Sequence, residues 1–234
     1  MTYTILGCDP SVGRIGVAIA THSIAAGGYC QRVMSGVGAI ASQAYADPRL
    51  LPVAVELLIA GAGPEEVVRH LGDVDPDYRY RQVALITPDG RGAAHTGDAI
   101  GSRSGHVIGD GFVVAGNGLS NELVTEAMAV AFADAVLEPI EERLLRALEA
   151  GRDAGGQRGG FYERSAALVV HESENFPDID LRVDYHPTDA VSELRGVFVR
   201  YAPYLYIYNH VRTKEPERAA LLTDEEWDPV PPET

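Results

Sequence analysis

The stretch Met1-Thr2-Tyr3-Thr4-Ile5-Leu6-Gly7-Cys8-Asp9-Pro10-Ser11-Val12-Gly13-Arg14-Ile15-Gly16-Val17-Ala18-Ile19-Ala20 decides the fold of this chain. Thr2 to Cys8 is rich in β-forming residues and reads as a strand. Asp9-Pro10, with Gly13 close behind, is turn chemistry. Ile15 to Ala20 is an apolar run of strand length, suited to burial on both faces. The two runs therefore make a hairpin whose second strand is central to a covered sheet. If Met1 is removed, Thr2 becomes the first residue. Its hydroxyl then sits beside a free α-amine of roughly pKa 7.7–8.0. That pairing is one way to activate a weak hydroxyl nucleophile.

Outward from the hairpin, Gly27-Gly28 breaks the chain and Val33 to Ala41 reads as one glycine-rich strand. Asp47-Pro48 opens a helix over Leu50–Ala60, and Pro64-Glu65-Glu66 opens another to Leu71. Strands follow at Gln82–Thr87 and Gly92–Thr96, then at Ser104–Ile108 and Phe112–Ala115, with turn residues between each pair. Leu123, Ala127, Val130, Ala131 and Leu137 recur at helical spacing. Pro139 splits that helix, and Ile140, Leu144, Leu145 and Leu148 continue the stripe. Ala166–His171 and Asp180–Asp184 read as strands, and Thr188 or Asp189 caps a helix to Arg200. Tyr201 to Tyr208 fits helix or strand equally. Residues 1–212 read as a single domain, and residues 213–234 as an acidic extended arm. Hairpins outnumber crossovers, so the order fits an α+β protein with two mainly antiparallel sheets between helix layers.

The 234 residues carry a formal charge of −15, which excludes a nucleic-acid partner because phosphate binding needs a basic surface. The same charge disfavours an anionic membrane surface. No run approaches the roughly 18 apolar residues of a membrane span. No signal peptide is visible, so a cytoplasmic location is expected. Cys8 and Cys30 lie in apolar surroundings and read as reduced core residues. Tyr201, Tyr204, Tyr206 and Tyr208 crowd one segment, a composition typical of interfaces, and a homo-oligomer is expected.

Few residues invite chemistry. The backbone N–H groups of Gln43 and Ala44, among small residues at a strand end, could hold an oxyanion, although a tight packing turn fits them too. His22 follows the buried strand and could orient or protonate a reacting group, or simply end the strand. Asn117 stands where a strand meets the long helix and could line a pocket. His95 and His106 match no ligand signature, so no metal is expected, nor any cofactor. Gly155-Gly156-Gln157-Arg158-Gly159-Gly160 lacks the Gly-Lys-Ser/Thr ending of a phosphate loop and reads as a flexible surface loop.

Six motifs then recur in one order: Gly36-Val37-Gly38-Ala39-Ile40-Ala41-Ser42-Gln43; His95-Thr96-Gly97; Gly109-Asp110-Gly111-Phe112 with Gly116-Asn117; Glu149-Ala150-Gly151 with Gly155-Gly156; Ser165-Ala166-Ala167-Leu168; and Asp180 to Asp184 with His186-Pro187. Over Thr2 to Arg200 the chain resembles the bacterial and archaeal family named domain of unknown function 1028, placed in the N-terminal nucleophile hydrolase superfamily. The resemblance implies a four-layer αββα sandwich. A looser similarity reaches proteasome β subunits, where a mature N-terminal Thr is the nucleophile. It implies that Thr2 takes that position, that His22 stands at the strand end where those subunits carry Asp, and that Ser42-Gln43-Ala44 matches the oxyanion turn. Their lysine has no lysine counterpart here; Gln31 or Arg32 falls nearest, and an arginine cannot deprotonate to act as a base. Two functions are expected to compete. One is an amidohydrolase of a small-molecule or peptide substrate, with Thr2, Gln43 and Ala44 catalytic and His22, Arg32, Ser42 and Asn117 binding substrate. The other is a non-catalytic binding or assembly protein on the same scaffold.

Overall fold

The computed structural model describes residues 1–101 and 103–229. Strands β1 (Thr2–Asp9) and β2 (Arg14–Thr21) form the expected hairpin, with Thr2 opposite Thr21. Four more strands join their sheet: β7 (Gly105–Gly109), β8 (Phe112–Asn117), β9 (Ser165–His171) and β10 (Ile179–Val183). The sheet runs β10-β9-β2-β1-β8-β7, so the apolar β2 is interior. A second sheet, in order β3-β4-β5-β6, contains β3 (Gln31–Met34), β4 (Gly38–Ala44), β5 (Arg81–Ile86) and β6 (Gly92–Thr96). All pairings between these strands are antiparallel.

Each sheet carries helices on its outer face. On the small sheet, α1 (Leu50–Ile59) and α2 (Pro64–Val74) bury Leu51, Ala54, Val67 and Leu71 against Ile40, Val83 and Leu85. On the large sheet lie α3 (Leu123–Asp134), α4 (Ile140–Asp153) and α5 (Ala190–Tyr201). There Phe132, Leu144 and Leu148 meet Tyr3, Ile5 and Ala18. Between the sheets, Leu6, Cys8, Ile15 and Val17 face Ala39, Ala41, Ala84 and Ile86. This is a four-layer αββα sandwich. Its three buried layers together supply the apolar area that drives folding.

Local chemistry accounts for the helix ends. Pro139 lies between α3 and α4 in an extended conformation, ψ 151°, since its ring and missing N–H cannot continue a helix. Asp189 caps α5, its Oδ1 accepting from Val191 and Ser192 N–H at 3.1 and 2.9 Å. Two expectations change. The single strand over Val33–Ala41 is two, because Ser35-Gly36-Val37 turns back on itself, with Gly36 at φ 68° and Val37 N–H donating to Met34 O. The tyrosine segment is helical, with a tight turn at Ala202–Tyr204 and a wide turn at Ile207–Val211. The acidic segment beyond it, expected as an extended arm, holds helical turns at Pro216–Ala219 and Asp224–Trp227, and residues 230–234 lie outside the described residues. Among the described residues no helix is long and apolar enough to cross a membrane.

Candidate functional site

Strand parity sets the site. On β1 the even residues face the other sheet: Leu6 and Cys8 at one end, Thr2 and Thr4 at the other. On β4 the odd residues do so, and on β5 the even ones, which aligns Gln43 with Gln82. On β8 the odd residues do so, and Asn117 stands opposite Thr2. The space between the sheets is therefore apolar at one end. At the other it is lined by Thr2, Thr4, Thr21, Gln43, Gln82 and Asn117, all buried.

Buried polar groups need partners, and these have them. Thr4 Oγ1 donates to Gln43 Oε1 at 2.5 Å. Gln43 Nε2 and Asn117 Nδ2 both donate to Gln82 Oε1, at 2.7 and 3.0 Å. Gln82 Nε2 shares its two hydrogens among Thr96 Oγ1, Gly105 O and Gly116 O at 2.9–3.0 Å. Thr96 Oγ1 lies 2.9 Å from His106 Nδ1, and burial lowers the pKa of that imidazole. Gln82 is the node that joins the two sheets at this end.

Thr2 lies at the mouth of this space, 6% exposed, with Oγ1 3.0 Å from Thr21 Oγ1. Thr21 gives its own hydrogen to Met1 O at 2.7 Å and accepts from Ser23 N–H at 3.2 Å. The Thr2 hydroxyl is thus the donor in the Thr2–Thr21 bond. Met1 is half-buried above it and rests on Gly118, where a Cβ would stand 2.5 Å from Met1 Cγ. Gly118 also has φ +60°, so only glycine suits this position on both counts. Burial, and then the Arg158 guanidinium, lower the pKa of the Met1 α-amine.

The other expected residues divide. Ala44 has φ 69°, a left-handed conformation that costs a non-glycine residue about 1 kcal/mol or more. Ser42 N–H donates towards β3, to Cys30 O, and Tyr45 N–H towards β5, to Tyr80 O. Alternation therefore aims the Gln43 N–H into the β5 ladder and the Ala44 N–H to the β3 side, where that strand has ended. Only Ala44 keeps an amide directed away from the ladder. Ser42 is fully buried on the helix side of β4, its Oγ accepting from Asp47 N–H. Arg32 is exposed on the helix side of β3, because its register partner is Ile40. Neither faces Thr2. Gln31, the alternative to Arg32, does face between the sheets, and its side-chain amide has no hydrogen-bond partner there. His22 is half-exposed at the mouth. Its Nδ1 donates to Tyr162 O at 3.0 Å, which leaves Nε2 as the lone-pair nitrogen of the neutral ring. Phe161 packs on the same ring at 4.6 Å.

Thr4, Thr21 and Gln82 did not stand out in the sequence as site residues, and Gly155–Gly160 was expected as a flexible surface loop. The segment is not a free surface loop. Leu119 bridges to Gln157, Arg158 N–H donates to Gly118 O at 3.0 Å, and His22 N–H donates to Gln157 Oε1 at 2.9 Å. Arg164 N–H donates to Thr21 O and its Nε to His22 O. The available signal was glycine density. Gly155, Gly156, Gly159 and Gly160 all have positive φ, so the segment follows a defined path that L-residues resist. Behind it Glu163 is buried, and burial pushes its carboxyl above the ordinary value. Cys8 and Cys30 are free and buried, and burial pushes both thiols up to about 11. Among the described residues no three His, Cys, Asp or Glu side chains cluster as metal ligands would.

Comparison with known proteins gives a family and a fold. The model of a family of unknown function, DUF1028, matches residues 2–194. A crystal structure of a Silicibacter pomeroyi protein of that family is 34% identical, with a TM-score of 0.79 over 86% of this chain and 89% of its own. Anbu, an ancestral β-subunit from Yersinia bercovieri, aligns over 88% of this chain and 97% of its own, at 12% identity and a TM-score of 0.41. No protein of curated function matches the chain.

Proposed function

The chain belongs to DUF1028, a family that carries no assigned activity, and we propose from its site that it is an amidohydrolase with Thr2 as an N-terminal nucleophile. The observation that carries this reading is the place of Thr2. Its Oγ1 lies on the inter-sheet face at the polar end, bonded to Thr21, whose own hydroxyl is held by Met1 O.

The chemistry begins when everything before Thr2 is removed. The freed α-amine accepts the Oγ1 proton while Oγ1 attacks the substrate carbonyl carbon. Loss of Met1 also frees the Thr21 hydroxyl from Met1 O, so it can donate to the reacting oxygens. The Ala44 N–H and the second hydrogen of Asn117 Nδ2 are the donors available to the oxyanion. Collapse expels the amine, which takes the proton from the ammonium. Water, deprotonated by the same α-amine, then hydrolyses the Thr2 ester. Gln82 holds Gln43 and Asn117 in place for this, and His22 with Phe161 forms a wall beside it.

The test is a chain verified by mass to begin at Thr2, screened against small amides and peptides. Thr2→Ala should lose about three decades or more of hydrolysis with little change in melting, and Thr2→Ser should keep part of it. Equal hydrolysis in wild type and Thr2→Ala defeats the mechanism. The second reading is a non-catalytic binding protein: a chain that keeps Met1 has a peptide nitrogen in place of the Thr2 amine, and Met1 packs on Gly118 at the mouth. That reading expects no turnover in any variant. The proposal takes the protein as cytoplasmic and as a homo-oligomer, the latter supported by Tyr206, 56% exposed and stacked on His210. Light scattering that reports a monomer at micromolar concentration removes that part.

A further inference from the structure

Arg158 is held at the mouth by its backbone and left free at its side chain. Its N–H donates to Gly118 O, and the neighbouring Gln157 is fixed by the His22 N–H. The guanidinium is exposed and, among the described residues, enters no hydrogen bond or ion pair. Acids are plentiful, 34 Asp and Glu against 19 Lys and Arg. Other arginines take them up: Arg14 with Glu141, Arg81 with Asp75, Arg195 with Glu142 and Glu149. Of the two carboxyls five residues away, Glu163 is turned into the interior and Asp153 pairs with Arg152.

The backbone of Arg158 lies beside Met1. Gly118 links them, since its carbonyl binds Arg158 and its α-carbon carries Met1. We propose that, with Thr2 as first residue, Arg158 selects the substrate by binding a carboxylate in the space Met1 now fills. The substrate class is therefore a small amide bearing a carboxylate, such as an N-acyl amino acid or a short peptide. This rests on the hydrolase reading given above.

Three features agree. A guanidinium presents two parallel N–H donors that match a carboxylate, a pairing stronger than a neutral hydrogen bond. The protein as a whole repels anions at −15, so an unpaired cation at the mouth decides where an anion enters. The same cation, with burial, already depresses the Met1 amine, and a cation beside the Thr2 amine keeps it in the neutral form a base needs.

The experiment uses the chain beginning at Thr2, in wild-type, Arg158→Ala and Arg158→Lys forms. The probes are N-acetylglycine, N-acetylphenylalanine and N-acetylglutamate, each paired with its carboxamide, with binding followed by NMR shifts of the mouth amides. At least one acid should bind about tenfold or more tighter than its carboxamide, about 1.4 kcal/mol. Arg158→Ala should abolish that preference while leaving carboxamide affinity and melting unchanged, and Arg158→Lys should keep part of it. An acid preference that is absent, or that survives Arg158→Ala, overturns the proposal. So does failure of every probe to bind below about 50 mM, where even weak affinities of under 2 kcal/mol register. Hydrolysis is scored apart, through Thr2→Ala. Cleavage without acid preference removes Arg158 and keeps the hydrolase; acid preference without cleavage does the reverse.

Discussion

Replacing Gln82 with Met tests whether the two sheets are joined by a dry polar node. Met is similar in volume and leaves the space filled, so the cavity contribution is small. What it removes is the acceptor of Gln43 Nε2 at 2.7 Å and of Asn117 Nδ2 at 3.0 Å, in a site where Gln82 itself is 0% exposed. A buried donor left without a partner costs about 1–3 kcal/mol. The carbonyls of Gly105 and Gly116 lose one partner each, a smaller cost because a carbonyl has two lone pairs. Two stranded donors give a central value of about 4 kcal/mol. For a domain of this size that is a fall in Tm of roughly 8–16 °C. Gln82→Glu sharpens the test. A carboxylate still accepts from Gln43 and Asn117, but its second oxygen then faces two carbonyls where an NH2 stood. Burial and those carbonyls raise the folded-state pKa of this Glu above its unfolded value of about 4.3. The folded state then binds more protons than the unfolded, so stability falls as pH rises above about 4.3. The Glu variant should therefore come nearer to wild type at pH 5 than at pH 8. Urea denaturation at both pH values is the assay. A loss below about 1 kcal/mol for the Met variant, or a Glu variant without pH dependence, means that the node is hydrated and carries none of this.

Two further outcomes follow from single contacts. Gly118→Ala meets Met1 Cγ at 2.5 Å and φ +60°, so thermal melting should show a loss in the Met1-bearing chain that shrinks to the backbone cost, about 1–2 kcal/mol, when the chain begins at Thr2. His171 is buried with its Nδ1 unpartnered, and burial lowers its pKa. The unfolded state then binds more protons between that lowered value and about 6.5, so stability should fall as pH drops below about 6.5. Urea midpoints at pH 7.5 and 5.5 should show this loss, and His171→Gln should flatten it.

The sequence by itself determined the hairpin, the helix pairs, the break at Pro139 and a cap at Thr188 or Asp189, because each is encoded within a few residues. Apolar periodicity and turn chemistry are local signals, and their order pointed to two sheets between helices. Thr2 and Asn117 were legible as strand-end polar residues, and the structure sets them opposite each other in adjacent strands. Parity was not legible. Ser42, Gln43 and Ala44 are neighbours in sequence, yet Gln43 enters the inter-sheet space while Ser42 faces the helices. Alternation fixes their relative directions, but only the second sheet decides which face is which. Gln82 reads as a polar residue at the head of a strand, and it is buried only because β1 and β8 lie across from it. The Val33–Ala41 run looked continuous because its turn residues include an apolar Val37. The path of Gly155–Arg164 depends on bonds to Thr21, His22 and Gly118, far away in the chain. No local pattern encodes those partners, so tertiary structure alone brought Arg158 to the mouth above Thr2.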